Sequence, residues 1–207
     1  MSGNEIYATA HDLLQGTKSR GSILDFGSGQ GRFLRQLQAL KFGTIYGSDL
    51  MNRPDDLPLE IKWLQADLNE PLPVEEKLFD VVIAIEVIEH LENPRKTVRE
   101  WYRLLKPGGK LILSTPNNGS IRSLLALLLK GHFVSFLDRD YPAHITALTR
   151  LDLQRILKEA NFVDTEFHFI KKGLIPGLRG LSWQKLSLGL LQGERFSDNI
   201  FVVASRP

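Results

Sequence analysis

The chain has no cysteine among its 207 residues, so disulfides, thiolate metal sites and cysteine nucleophiles are all excluded. It also lacks any uninterrupted apolar run of the roughly 18–20 residues that spans a bilayer. Its start, MSGNEIYATAHDLLQG, has no basic stretch leading into an apolar core, so no signal peptide is expected and the cytoplasm is the default compartment. A charge excess is missing too. The 26 Lys and Arg nearly balance 24 Asp and Glu, net +2, and give no overall argument for a nucleic acid partner. No repeat or low-complexity segment is present. What remains is ordinary for a globular protein, 43% hydrophobic and 24% charged, and the length suits a single domain over 1–207.

From about residue 20 to 115, short β-branched runs alternate with helical patterns. This predicts an α/β fold, a mainly parallel sheet with helices on both faces. The expected strands are Ser22–Phe26, Thr44–Ser48, Ile61–Gln65, Phe79–Ile85 and Lys110–Thr115. The clearest helix runs from Pro94 to Leu105, with Asn93 as its cap and Val98, Trp101, Tyr102 and Leu105 on one face. Arg95, Lys96, Arg99 and Arg103 crowd its other faces, read as a solvated flank in preference to an RNA-binding stripe. Pro107-Gly108-Gly109 then turns the chain into the next strand.

Past Thr115 the rhythm changes. Ile121, Leu124, Leu125, Leu128 and Leu129 predict a short, very apolar helix stopping at Gly131. Thr149 and Asp152 resemble a capping box opening another helix, with Leu153, Ile156, Leu157 and Ala160 on one face. Phe162–Ile170 and Asn199–Ser205 read as a closing antiparallel pair. The leucine-rich stretches at about 117–149 and 171–197 are expected to be acceptor-side insertions. A lid packed on the core is preferred for them over a membrane contact.

The strongest chemical signal is Ile23-Leu24-Asp25-Phe26-Gly27-Ser28-Gly29-Gln30-Gly31, a buried strand entering a glycine-rich turn with a helix directly after it. Glycines let backbone approach a ligand closely, and a helix start offers unpaired N–H groups. Arg32 stands where a dinucleotide fingerprint needs glycine, and no Gly-Lys-Ser/Thr follows to make a P-loop. Thr44–Asp49 is a second strand ending in a carboxylate, 18 residues past Gly31, where an acid can accept two ribose hydroxyls. A turn aspartate or helix cap is the plainer alternative.

These motifs, in this order, resemble those of the class I S-adenosylmethionine-dependent methyltransferases over about residues 20–165. Asp25-x-Gly27-x-Gly29-x-Gly31 looks like the first motif, Asp49 like the ribose acid, and Ala66-Asp67-Leu68 like the segment that holds the adenine. Phe79–Ile83 resembles the fourth strand, and Leu104–Gly109 the turn before the fifth. The resemblance implies a Rossmann-like, doubly wound sheet of seven strands in order 3-2-1-4-5-7-6, strand 7 antiparallel, inside a three-layer αβα sandwich. It also implies S-adenosylmethionine as cofactor, converted to S-adenosylhomocysteine, bound by Asp25, Phe26, Gly27, Ser28, Gly29, Gly31, Asp49, Leu50, Met51, Ala66, Asp67, Leu68, Ile85 and Glu86.

The segment Ile85-Glu86-Val87-Ile88-Glu89-His90 follows the fourth strand at its carboxyl end, where open α/β sheets place ligands. On one helical turn, Glu86, Glu89 and His90 would share a side and could hold a divalent ion or poise His90 as a base. A comparable segment occurs in ubiquinone-pathway O-methyltransferases and in small-RNA 3′-terminal 2′-O-methyltransferases, some of which bind magnesium or manganese there. His144 resembles a family position near the acceptor pocket. The reading adopted is catalytic His90, His144 and Glu89, no metal, and a small-molecule, hydroxyl-bearing acceptor. The alternatives are an RNA 2′-O-methyltransferase with metal at Glu86, Glu89, His90 and His144, and a non-catalytic binding module. His168 is expected to face solvent.

Overall fold

The computed structural model describes residues 3–178 and 180–207. The alternation of side chains along each strand decides the architecture. In β1 (Ser22–Phe26), Ile23 points to one face of the sheet, while Leu24 and Phe26 point to the other. β2 (Thr44–Asp49), β3 (Lys62–Gln65), β4 (Phe79–Ile85) and β5 (Leu105–Pro116) run parallel to it. β6 (Val163–Phe169) and β7 (Asn199–Ser205) close the sheet, with β7 antiparallel to both neighbours. The strand order is β3-β2-β1-β4-β5-β7-β6, as the resemblance implied.

Apolar side chains on both faces leave room for helices on both. α1 (Asn4–Gln15) and α2 (Arg32–Leu37) cover one side, where Ala10, Leu14, Phe33 and Leu34 meet Ile23, Val81, Ile83 and Phe201. α3 (Pro94–Leu104) and α5 (Arg150–Glu159) cover the other, burying Val98, Trp101, Leu153 and Leu157 on Leu24, Val82, Leu113 and Val202. Full burial of side chains of this size contributes about 1.5–3 kcal/mol each. Asn93 caps α3 by accepting from Lys96 N at 3.0 Å, and Thr149 and Asp152 cap each other reciprocally at the start of α5.

Several expectations are corrected. β5 begins at Leu105, not Lys110, because Leu105 already pairs with Phe79 before the ladder shifts register. The basic residues of α3 form the solvated flank expected of them, with Arg95 and Arg99 exposed, and each also meets an acid. Arg95 and Arg99 share Glu159, Lys96 pairs with Glu70, and Arg103 with Glu100. The apolar helix α4 (Ile121–Lys130) forms, but its leucines do not pack on the core. Ser123 is its buried residue, while Leu124, Leu125, Leu127, Leu128 and Leu129 are exposed. The described residues of 171–197 are mostly irregular, with one short α-helix, α6 (Trp183–Leu186), and a 3₁₀ turn over Glu194–Phe196. His168 is half-buried, in the wall of a cavity of about 650 Å³ beside α1. Among the described residues no helix is long and apolar enough to cross a membrane.

Candidate active site

The parallel strands β1, β2 and β4 end together, and the loops after them build one site. The turn after β1 is tied to β2, since Gly27 N and Ser28 N both donate to the Ser48 carbonyl, at 2.8 and 2.9 Å. Gly27 has φ +84, and a Cβ there would collide with Val87, so backbone conformation and close packing both call for glycine. Gly29, at φ +51, differs, because the space where its Cβ would sit is open. Its N–H donates to Asp49 Oδ2 at 2.7 Å, and Met51 N donates to Asp49 Oδ1 at 3.0 Å. Asp49 is thus fixed by two backbone donors, and each oxygen keeps a second lone pair for a ligand. Beside it, Leu50 is 66% and Met51 46% exposed, an apolar wall open to solvent.

Asp25 lies under this turn, 2% exposed, and its Oδ2 has no hydrogen-bond partner. Burial, reinforced by the nearby Asp49, raises its carboxyl to about 7. A buried, unpartnered carboxylate fits a cationic group such as an ammonium. Phe26 is fully buried against Trp101, so only its backbone can reach a ligand. Past β3, Ala66 N donates to the Asp49 carbonyl at 3.0 Å and Asp67 Oδ1 accepts from Asn69 N at 2.9 Å. The first bond ties the third loop to the second, and the other shapes the third loop itself.

The segment after β4 departs from the single helical turn expected of it. Glu86 sits in the left-handed region, φ +54, and a 3₁₀ turn covers only Ile88–His90. Glu86 accordingly lies outside the group of ligand atoms that Glu89, His90 and His144 bring together. Its two oxygens accept from Ser114 Oγ and Asn199 Nδ2, both at 2.8 Å. Glu89 is fully buried, accepts from Thr115 Oγ1 at 3.0 Å, and leaves Oε1 unpartnered. Burial raises Glu86 to about 7. Burial, with the charge of Glu86 added, also raises Glu89. Ser114, Thr115 and Asn199 were not singled out from the sequence. Two polar residues ending an apolar strand are a signal at Ser114-Thr115, whereas Asn199 gives none, because β7 arrives from 80 residues further on.

His144 reaches the site from the second half of the chain. The backbone N–H groups of Ile145 and Thr146 both donate to the Glu89 carbonyl at 3.0 Å, docking the loop on the 3₁₀ turn. The His90 and His144 rings meet edge to face, with centroids 4.7 Å apart. Nδ1 of His90 lies 2.7 Å from the Ala143 carbonyl and Nδ1 of His144 contacts that of Ser135. A carbonyl only accepts, so both Nδ1 atoms carry hydrogen and both Nε2 atoms keep a lone pair. Burial lowers the pKa of His90, which keeps its ring neutral. Glu89, His90 and His144 can each offer one ligand atom within 4.8 Å of the others, a group from which Glu86 is absent.

The chain matches the family described as a methyltransferase domain over residues 4–166. The chain belongs to that methyltransferase family. The expected family, its S-adenosylmethionine chemistry and the sheet order are thereby borne out. A ubiquinone biosynthesis O-methyltransferase of Pseudomonas putida is 31% identical over 56% of this chain and 53% of its own length. The chain spans about half the length of the curated relatives it matches. Two solved structures share the fold at a TM-score of 0.68. One is a SAM-dependent methyltransferase from Archaeoglobus fulgidus, 18% identical over 98% of this chain and 95% of that one. The other is a Haloferax volcanii methyltransferase in complex with the Trm112 methyltransferase activator, 17% identical over 99% and 91%.

The raised carboxyls of this site, Asp25, Glu86 and Glu89, have a measurable consequence. A group whose folded pKa exceeds its unfolded value binds more protons in the native state, so its stabilisation is present at low pH and lost as pH rises through the folded value. Moving Asp25 from 3.8 to about 7 corresponds to roughly 4 kcal/mol. The ligand-free protein is therefore expected to melt at a higher temperature at pH 5 than at pH 8. Asp80, held down to about 2 by Lys106, Ser22 and Ser19 against the opposing effect of burial, acts oppositely and only below about pH 4. Melting curves across pH 4–8 test this, and a melting temperature that rises throughout would contradict it.

Proposed function

We propose that this chain transfers the methyl group of S-adenosylmethionine to a hydroxyl of a small, apolar molecule, with His90 as the proton acceptor. Three features of the site fit that cofactor. Asp49 has lone pairs for two ribose hydroxyls, Asp25 has an unpartnered oxygen for the amino group, and the space over Gly29 is open. Bound there, the cofactor supplies a sulfonium-activated methyl group, which needs alignment more than covalent help; positioning can contribute up to about 7–11 kcal/mol. Gly27, Ser28, Gly31, Leu50, Ala66, Asp67, Leu68 and Ile85 complete the cradle. Glu86, fixed between Ser114 and Asn199, separates it from the acceptor side.

The observation that carries the reading is the state of His90. Burial lowers its pKa, and the Ala143 carbonyl binds Nδ1, so Nε2 is the ring nitrogen that carries the lone pair. Nε2 of His90 would take the proton that the acceptor hydroxyl gives up as its oxygen receives the methyl group, the cofactor's sulfur leaving as a neutral thioether. His144 packs on the His90 ring and holds it in place, while the Glu89 carboxyl, bound by Thr115, supports the turn beneath. The similarity to ubiquinone biosynthesis O-methyltransferases supports a small aromatic hydroxyl as acceptor.

A second reading places a divalent ion on Glu89, His90 and His144, because that oxygen and two imidazole nitrogens fit magnesium or manganese. It would bring an RNA 2′-hydroxyl into consideration as acceptor, although the cations of α3 are each paired with an acid. A screen with radiolabelled cofactor against quinol, catechol, lipid and RNA pools tests the choice. Label is expected in the quinol or catechol pool with chelator present. Label in RNA alone, or only with added metal, would favour the second reading.

A further inference from the structure

Two stretches of the sequence, 117–137 and 167–193, contain no acid. Between them they hold six Lys or Arg: Arg122, Lys130, Lys171, Lys172, Arg179 and Lys185. The chain has 26 such cations and 24 acids, so everything outside the two stretches carries 20 against 24. A nearly neutral total therefore hides a segregation of charge, positive in these stretches and negative elsewhere.

The stretches meet in space. A cavity of about 480 Å³ is lined by Leu125, Leu129, Lys130 and His132 from the first and by Pro176 and Gly177 from the second. α4 is an amphipathic helix turned outward. At 100° per residue its five leucines span about 200° of its circumference, and all five are exposed, Leu128 by 79% and Leu129 by 75%. Leu178, Leu186, Leu188 and Leu190 extend the apolar exposure along the second stretch. Arg122 and Lys172 are paired, with Asp198 and Glu5. Lys130, Lys171 and Lys185 make no ion pair among the described residues.

We propose that this face docks on a membrane of anionic phospholipid, with the α4 leucines in the acyl boundary and the cations among the headgroups. A helix seated in a protein groove presents a narrow stripe at i, i+3, i+4 and i+7. An apolar arc about 200° wide suits a fluid apolar medium instead. A second copy of the chain is a poor occupant, since it would set two acid-free, cationic faces against each other. An anionic bilayer supplies both the apolar interior and the complementary charge. Docking would bring the acceptor side to the lipid. α4 starts six residues after Thr115, the partner of Glu89, and Ser135 of the same stretch contacts His144. The docking proposal stands independently of the acceptor reading.

Cosedimentation of the full chain with vesicles tests it. The chain is expected to bind vesicles of equal phosphatidylglycerol and phosphatidylcholine, about tenfold or more weaker to phosphatidylcholine alone, and to be released by salt. Leu128→Asp with Leu129→Asp, and separately Lys130→Glu, should each reduce binding about tenfold or more. Both variants alter exposed side chains, so circular dichroism and S-adenosylmethionine binding should match wild type. Absence of binding to the mixed vesicles, equal binding to neutral ones, or undiminished binding by both variants would overturn the proposal. So would light scattering that shows a dimer dissociated by the leucine substitutions while vesicles are ignored.

Discussion

Asp49→Ala is expected to weaken S-adenosylmethionine binding by roughly 10²–10⁴-fold while leaving the chain folded. Two ribose hydroxyl contacts to a carboxylate are at stake, each about 1.5–3 kcal/mol. The same substitution frees the Gly29 and Met51 N–H groups from the oxygens that hold them. Both lie at the half-exposed end of β2, where water can replace the lost acceptor, so the effect falls on the ligand and not on the core. Asp49→Asn should recover part of the loss, because its amide oxygen still accepts while its NH₂ opposes one donor. Calorimetric titration of the three proteins, with circular dichroism as the folding control, gives the answer. Wild-type affinity in Asp49→Ala would move the ribose acid elsewhere.

His90→Ala is expected to reduce the methyl-transfer rate by roughly 10²–10⁴-fold, the usual range for a positioned base, with S-adenosylmethionine affinity unchanged. Because burial lowers the His90 pKa, the acidic limb of the wild-type rate profile should lie below 6.5, and the variant should lose that limb. Chelator should leave wild-type activity intact. Activity that vanishes in chelator and returns with manganese would place an ion on Glu89, His90 and His144 instead. His144→Ala distinguishes the two accounts again. It lowers the rate modestly if the ring only supports His90, and raises the metal requirement if it is a ligand.

Local sequence rules reached far where the features are local. The β1 glycine turn, the acid ending β2 and the caps at Asn93 and Thr149 each involve neighbours in sequence, and each is found as expected. The pairing of β6 with β7 was legible from alternation. What stayed hidden depends on distant partners. Glu86 leaves the helical turn because Ser114 on β5 and Asn199 on β7 hold its carboxylate, a constraint no window around residue 86 contains. The acids that pair with Arg95, Lys96 and Arg99 are also remote, Glu159 more than fifty residues away. For α4, periodicity identified the helix but not the direction of its leucines. A 3.6-residue repeat defines a face without saying whether protein lies beneath it.

The family reading is tested most directly by titrating the wild-type chain with S-adenosylmethionine and with NAD, side by side. Asp49, Asp25 and the open space over Gly29 predict micromolar-range binding of S-adenosylmethionine or S-adenosylhomocysteine, and no comparable binding of NAD, because Arg32 occupies the position of the third fingerprint glycine. Tight NAD binding with a silent S-adenosylmethionine titration would contradict it.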